Sequence, residues 1–147
     1  MMIESAVAGD LEAVESLLSV CGLPLDGVRD HFPDFVVARV PSVAPGPLIA
    51  GCAGLERHGT AGVFRSLAVS KNYRGAGLGR RLMEATIARA RAIGCKEIFL
   101  LTRTIERMAS LQGFETIERD QVPAAARESL EFSINACSTA VVMRRRL

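Results

Sequence analysis

The sequence contains no tryptophan, and aromatic residues make up only 5% of its 147 residues. Proteins that bind nucleic acid strands commonly stack bases on aromatic side chains, and binding to the phosphate backbone needs a strong positive charge. The net charge here is only +2, from 18 basic and 16 acidic residues. The composition therefore argues against nucleic acid as a partner.

Cysteines are few and widely spaced, at positions 21, 52, 95 and 137. This spacing matches neither a zinc-binding motif nor a disulfide-rich scaffold, so we expect reduced thiols and no metal site. No run of 18 apolar residues occurs, and residues 1–5 lack the basic flank and apolar core of an export signal. We therefore expect a cytoplasmic protein with no membrane partner.

The sequence does contain enough apolar side chains for a core. Hydrophobic residues make up 49% of the chain and charged residues 23%, as in ordinary globular proteins. The length fits one domain, expected to span residues 1–147. Arginine supplies 16 of the 18 basic residues, and its planar guanidinium group suits carboxylates and phosphates.

The pattern of apolar residues predicts an α+β chain. Short apolar runs predict strands at residues 3–7, 35–40, 48–55, 62–69, 98–101, 114–118 and 140–145. Helical spacing predicts helices over residues 11–21, with Asp10 as N-cap, and over 77–93 and 105–111. The strands at 48–55 and 62–69 should pair antiparallel. The second of them, the long helix and the buried run at 98–101 should form a βαβ unit.

The most informative segment is residues 74–80, here called the glycine loop. Gly75, Gly77 and Gly79 let the backbone turn tightly and approach a ligand, at the point where a strand leads into the long helix. The first N–H groups of a helix lack intrahelical acceptors, and the helix dipole is positive there. Arg74 and Arg80 add positive charge. The segment therefore predicts an anion-binding site.

Two common phosphate-binding motifs are absent from this loop. A dinucleotide-binding fingerprint needs a third glycine where Arg80 stands, and no Gly-Lys-Ser/Thr sequence of a P-loop is present. The pattern R-x-x-G-x-G instead resembles the acyl-CoA pyrophosphate loop of the GCN5-related N-acetyltransferase (GNAT) family. Residues 67–69 are similar to the central strand of that family, and residues 111–114 to its Gly-Phe turn. Residues 54–57, 64–69, 100–102, 122–125 and 137–143 resemble its arsenic-resistance N-acetyltransferase subgroup.

The resemblance implies a mixed, largely antiparallel sheet with a βαβ acyl-CoA-binding core and helices on both faces. It implies direct transfer of acetyl from acetyl-CoA to a small, anionic amino-acid-like amine in a ternary complex, with a detoxification role implied by the subgroup. The residues it assigns to acetyl-CoA are Leu67, Ala68, Val69, Arg74, Gly75, Ala76, Gly77, Leu78, Gly79 and Arg80. A backbone N–H near Leu67 is the expected donor to the oxyanion of the tetrahedral intermediate.

The acceptor amine must lose a proton, because alkyl amines are mostly protonated at neutral pH. Glu56 is our candidate base, at the end of the strand that pairs with the central one; the alternative is a solvated turn carboxylate or a partner of Arg57. His58 is the rival base, and its alternative is an exposed turn histidine with no role.

Arg65 stands in the middle of an apolar strand, where a charged group needs an opposite charge. Strand alternation places it on the same face as Val63 and Leu67. Together with Arg39 and Arg103, each near a strand end, Arg65 is a candidate to bind the carboxylate of the acceptor. Internal ion pairs are the alternative for all three arginines.

The chain departs from the family in two places, and one is the start of the short helix, where Arg103 and Thr104 replace the asparagine-like anchor of the family. Many members carry a tyrosine four residues before the glycine of the Gly-Phe turn, and Ala109 stands there in this sequence. The proton for the leaving thiolate must then come from water or from the ammonium group. These departures keep open an acyl-CoA-binding sensor with a degenerate active site. A nucleotide-binding module of another type is the second alternative. The apolar final strand suggests pairing across a homodimer.

Overall fold

The computed structural model describes residues 1–42, 45–46, 48–129 and 139–147. The strands are β1 (Met2–Ser5), β2 (Val36–Arg39), β3 (Ile49–His58), β4 (Ala61–Val69), β5 (Glu97–Thr102), β6 (Glu115–Ile117) and β7 (Val141–Arg146). The helices are α1 (Leu11–Val20), α2 (Val28–His31), α3 (Leu78–Ala92), α4 (Glu106–Leu111) and α5 (Ala124–Arg127). Within these described ranges, no helix has both the length and the apolar character needed to cross a bilayer.

The strands form a seven-stranded sheet in the order β1-β2-β3-β4-β5-β7-β6. Strands β1, β2 and β3 pair antiparallel, as do β5 with β7 and β6 with β7. Strand β4 pairs parallel with β5, and helix α3 connects the two. The predicted α+β class, the largely antiparallel sheet and the βαβ unit are therefore confirmed.

One compact unit comprises Met1–Gly54 and Ser66–Thr86. Side chains of α1 and α2 pack against β2, β3 and the end of β4, and the buried members of this cluster are Val14, Leu18, Val28, Phe32, Phe35, Val37, Cys52 and Ala68. On the opposite face of β3, Gly51 lies against α3, where a Cβ atom would come within 2.9 Å of Leu82 Cδ1. Helices therefore cover both faces of the sheet in this unit.

The other unit comprises Leu55–Arg65 and Ile87–Leu147. Its core cluster contains Ala61, Val63, Phe99, Leu101, Val122, Ala126 and Val142. The neighbouring β5 residues Ile98 and Leu100 are buried as well, although they point to the opposite face. Strand β5 is thus buried on both faces, as its uninterrupted apolar run predicted.

The structure corrects several expectations about individual elements. Strand β3 continues to His58 instead of ending at residue 55, and a two-residue turn leads into β4. Helices α2 and α5 lie in stretches for which no helix was predicted. Strand β7 is an inner strand, flanked by β5 and β6, and therefore does not offer the free edge expected for pairing across a dimer.

Asp10 does not cap α1 with its side chain. Its carboxylate accepts instead the backbone N–H of Val7 at 2.9 Å and two N–H groups of Arg39, at 2.9 and 2.8 Å. The prediction failed because a long-range arginine, 29 residues away in sequence, offers a charged donor that a helix N–H does not match.

Candidate active site

The glycine loop joins β4 to α3 in a conformation that requires glycine. Gly75 has φ +85° and Gly77 has φ +79°, which side-chain-bearing residues rarely adopt. A Cβ atom at Gly75 would meet nothing within 4 Å, and one at Gly77 only Arg80 Nη2 at 3.9 Å. The backbone conformation, and not crowding, therefore demands glycine at both positions, and the space above the loop is open to a ligand.

The first amide groups of α3 directly follow these two glycines in the chain. Arg81 N donates to Gly77 O at 3.2 Å in the first turn of the helix, so the N–H groups of Leu78, Gly79 and Arg80 have no intrahelical acceptor. With the positive end of the dipole of a 15-residue helix, they form a site that suits a diphosphate. The residues present fit the diphosphate of a coenzyme A molecule.

The arginines of the glycine loop have different environments. Arg74 folds back toward β4, where its Nε donates to Val69 O at 2.9 Å and its Nη2 lies 3.7 Å from Cys21 Sγ. Arg80 is exposed and lies 3.9 Å from Glu84, a solvent-screened pair that leaves its charge available to an anion. Arg80 thus remains the more adaptable of the two.

Strand β4 is irregular in the middle. Its described ladder with β5 ends where Val63 pairs with Phe99, and β4 continues for six more residues. Ser66 has φ +58°, the only positive value at a non-glycine position among the described residues. Such a conformation costs of order 1–3 kcal/mol and tends to occur at functional sites.

The irregularity shifts side-chain alternation by one residue. Arg65 reaches Glu56 of β3, and Ala68 packs in the cluster that contains Cys52 of β3. Glu56 and Cys52 are four residues apart on one strand and so share a face. Arg65 and Ala68 therefore point to one face despite their odd spacing, and the prediction that Leu67 shares the face of Arg65 is wrong.

Glu56, Arg65 and His58 form a buried cluster. Glu56 Oε2 accepts a hydrogen bond from Arg65 Nη1 at 2.5 Å, and Glu56 Oε1 lies 3.0 Å from His58 Nε2. The side chains of Glu56 and Arg65 are 2% exposed, and that of His58 is 20% exposed. The structure thus brings together both candidate bases and one candidate acceptor-binding arginine, and places all three in strands.

The other two candidate acceptor-binding arginines lie elsewhere. Arg39 binds Glu4 through Nε and Asp10 through both terminal nitrogens. The hydrogen bonds from Arg39 hold the pKa of Asp10 below its usual value, and Asp10 together with Glu4 raises the pKa of Arg39. Arg103 is exposed, directly after β5. Arg39 and Arg65 thus make the internal ion pairs that were the alternative, and any role toward an acceptor stays a prediction.

Two further residues bear on the chemistry. Ala109, at the position of the missing tyrosine, is fully buried. Cys52, which sequence reasoning passed over, places its Sγ 3.4 Å from the carbonyl oxygen of Ser66. Alternation along β3 could have indicated that Cys52 points inward, but no sequence signal marks the irregularity at Ser66. Cys137 lies outside the described residues.

Comparisons with curated proteins identify relatives of known name. An amino-acid acetyltransferase of Pseudomonas syringae pv. tomato is 35% identical over 91 residues, which are 60% of this chain and 21% of that protein. One from Azotobacter vinelandii is 39% identical over 80 residues, 53% of this chain and 18% of that protein. The chain thus spans about a fifth of the length of these relatives.

Solved structures share the fold. N-acetylglutamate synthase from Neisseria gonorrhoeae, complexed with coenzyme A and N-acetyl-glutamate, superposes with a TM-score of 0.80 and 24% identity, covering 99% of this chain and 35% of that one. Rv2747 from Mycobacterium tuberculosis, in complex with CoA and NLQ, gives a TM-score of 0.82 and 20% identity, covering 100% and 99% of the two chains.

The family match covers the strand, loop and helix described above. Residues 20–114, more than half of the chain, match the acetyltransferase (GNAT) family. That range includes β4, the glycine loop and α3. The architecture of the sheet and the local geometry of the loop agree with this match, and the protein therefore belongs to the acetyltransferase (GNAT) family.

Proposed function

We propose that this protein transfers the acetyl group of acetyl-CoA to the amine of a small amino-acid-like acceptor. The observation that carries the proposal is the glycine loop, whose positive-φ glycines and unpaired helix N–H groups suit a diphosphate. The names of the curated relatives, amino-acid acetyltransferases, support the choice of acceptor.

The backbone supplies the contacts to acetyl-CoA. The diphosphate binds the N–H groups of Gly75, Ala76, Gly77, Leu78, Gly79 and Arg80, and the pantetheine arm lies along residues 67–69 of β4. Beyond the ladder with β5, this stretch of β4 has backbone groups to offer an extended ligand. The thioester carbonyl then lies at the N–H of Leu67.

The reaction is an addition followed by an elimination. The neutral amine attacks the thioester carbon, the carbonyl oxygen becomes an oxyanion that accepts a hydrogen bond from Leu67 N–H, and the C–S bond then breaks. The acetyl group is then bound to the acceptor nitrogen as an amide. Coenzyme A departs as a thiolate, which takes up a proton. Because Ala109 has no proton to give, that proton comes from the amine nitrogen or from water.

The Glu56–His58 pair is our proposed acceptor of the amine proton. Glu56 is fully enclosed, whereas His58 is partly exposed and in contact with Glu56 at 3.0 Å. A histidine exchanges protons near neutral pH, and a carboxylate partner orients its ring. Arg65 fixes the carboxylate from the other side. In this proposal His58 accepts the proton and Glu56 orients the ring of His58, so both bases predicted from the sequence have a role.

The acceptor carries a carboxylate in this proposal. Arg39 and Arg65 already hold carboxylates of the protein, whereas Arg103 is exposed. Bidentate binding of a carboxylate by arginine gives orientation as well as affinity. More specifically, the proposed role is the detoxification of a toxic amino acid, as in the arsenic-resistance subgroup.

Thiol release from acetyl-CoA, measured over a panel of twenty amino acids and simple amines, tests the proposal. We expect release with at least one α-amino acid and none with acetyl-CoA alone. Binding of CoA without release for any acceptor contradicts the enzymatic function and favours the sensor. Binding of NAD or ATP in place of CoA contradicts the assignment of the glycine loop.

The variant Gly77→Asp tests the loop itself. A carboxylate beside the diphosphate costs about 2–3 kcal/mol, which weakens CoA binding about 30- to 150-fold. Gly94→Asp is the matched control, because Gly94 also has positive φ and open space but lies at the opposite end of α3. Equal CoA affinity of the two variants in calorimetry contradicts the assigned binding site.

A further inference from the structure

Cys52 is a buried thiol to which the reaction above gives no role. It lies on β3, is 0% exposed and belongs to the core cluster with Phe35 and Ala68. Its Sγ lies 3.4 Å from the carbonyl oxygen of Ser66, a distance at which a thiol donates a weak hydrogen bond to oxygen. The contact therefore joins Cys52 to the irregular point of β4.

The thiol is a permanent donor at physiological pH. Burial raises the pKa of Cys52 to about 12, so the sulfur keeps its proton. A thiolate would have no hydrogen to give and would repel the carbonyl oxygen. The protonated thiol of Cys52 can therefore donate to the carbonyl oxygen of Ser66 over the whole neutral range.

The contact acts on Leu67 through the geometry of one peptide group. The C=O of Ser66 and the N–H of Leu67 belong to the same planar, trans peptide unit, and therefore point in opposite directions. A carbonyl held toward the Cys52 sulfur aims the N–H of Leu67 away from that sulfur. Hydrogen bonding to the carbonyl oxygen also polarises the peptide and strengthens the N–H as a donor.

This orientation is not one that a strand adopts by default. Ser66 has φ +58°, a backbone conformation that persists only where the surrounding structure enforces it. The hydrogen bond from Cys52 is one such constraint, because it holds the carbonyl oxygen of Ser66.

We propose that Cys52 is a positioning residue, whose thiol holds the Ser66–Leu67 peptide so that the Leu67 N–H faces the thioester oxygen of acetyl-CoA. The inference rests on the proposed acetyl transfer, in which that N–H stabilises the oxyanion. Loss of the Cys52 thiol should therefore weaken stabilisation of the transition state more than binding of acetyl-CoA, because the contacts to the diphosphate come from a different segment.

Three variants separate this role from simple packing. Cys52→Ala removes the donor, and Cys52→Ser restores a donor on a side chain of similar length. Cys95→Ala is the matched control, because Cys95 is also buried but lies in the other compact unit. Unfolding midpoints of Cys52→Ala and Cys95→Ala should fall by similar amounts, since each loses one buried sulfur atom.

We expect Cys52→Ala to lower kcat about tenfold, because a misaligned oxyanion donor loses part of the rate enhancement that complete removal of the donor would abolish. KM for acetyl-CoA should change less than about twofold. Cys52→Ser should recover to within about threefold of the wild type, and Cys95→Ala should keep the wild-type kcat. Equal kcat values for Cys52→Ala and Cys95→Ala, or no rescue by serine, would overturn the proposal.

A second measurement does not depend on turnover. In ¹⁵N-resolved spectra of the protein without ligand, the amide resonance of Leu67 should move upfield in Cys52→Ala, because its peptide loses polarisation, and stay in place in Cys95→Ala. If the wild type acetylates no acceptor, the proposed function fails while this shift still reports on the Cys52 contact. An unmoved Leu67 resonance in Cys52→Ala overturns the inference in either case.

Discussion

Replacing Arg65 by methionine removes one partner of the buried ion pair with Glu56. Both side chains are almost completely enclosed, and Nη1 lies 2.5 Å from Oε2. Methionine fills much of the aliphatic volume of arginine but leaves the carboxylate of Glu56 without its guanidinium. Removing one member of such a pair costs about 3–5 kcal/mol, because the remaining charge stays buried and poorly compensated.

This cost is large compared with the whole stability of the protein. Domains of this size unfold with about 5–15 kcal/mol, and each kcal/mol lowers Tm by about 2–4 °C. We therefore expect Arg65→Met to lower Tm by about 6–20 °C. Glu56→Gln leaves a buried guanidinium instead and should be similarly destabilising.

A double-mutant cycle measured by urea unfolding provides the test. If the two side chains stabilise each other, the double variant Glu56→Gln/Arg65→Met loses about 2–3 kcal/mol less than the sum of the single losses, because no uncompensated charge is left. Additivity to within about 0.5 kcal/mol would show that the ion pair contributes no coupling and refute the reasoning.

Other predictions concern packing, pH and thiol reactivity. Gly54→Ala should destabilise the protein by about 1–3 kcal/mol in urea unfolding, because a Cβ atom there would lie 2.3 Å from Phe35 Cζ; an unchanged midpoint contradicts this contact. The lowered pKa of Asp10 stabilises the folded state above the usual carboxyl pKa of 3.8, and this stabilisation is lost as pH falls through the lowered value. Asp10→Asn should therefore unfold more easily than wild type at pH 7, by about 2 kcal/mol, with a difference that shrinks below about pH 4; a constant difference contradicts the role of Arg39. Cys52, whose pKa is raised, should react with a disulfide reagent at pH 8 only on unfolding, so Cys52→Ser should remove one slow thiol and no fast one.

The glycine loop could be predicted from the sequence because its geometry is local. The positive φ values of Gly75 and Gly77 and the free N–H groups of α3 involve neighbouring residues in the chain. Residue type and order are then sufficient, since glycine permits the conformation and a helix start always leaves amides without acceptors. The same local character made the βαβ unit predictable.

The positions of Glu56, His58 and Arg65 could not be predicted from neighbouring residues in the sequence. Glu56 was expected at the end of a strand and His58 in the segment that follows it, yet β3 extends through both residues. The extension is possible because Arg65, nine residues away in sequence, neutralises the carboxylate that β3 carries inside. A buried charge depends on a partner that only the folded chain supplies.

The sequence by itself determined the order of the strands and of the three longest helices, the family and the loop at the start of α3, since apolar periodicity and glycine placement act over a few residues. Only the tertiary structure decided which arginines face protein carboxylates and how β4 turns at Ser66. Those features depend on contacts between segments distant in sequence, here from Cys52 to the Ser66 carbonyl and from Arg39 to Asp10. Their energies exist only after the sheet has assembled.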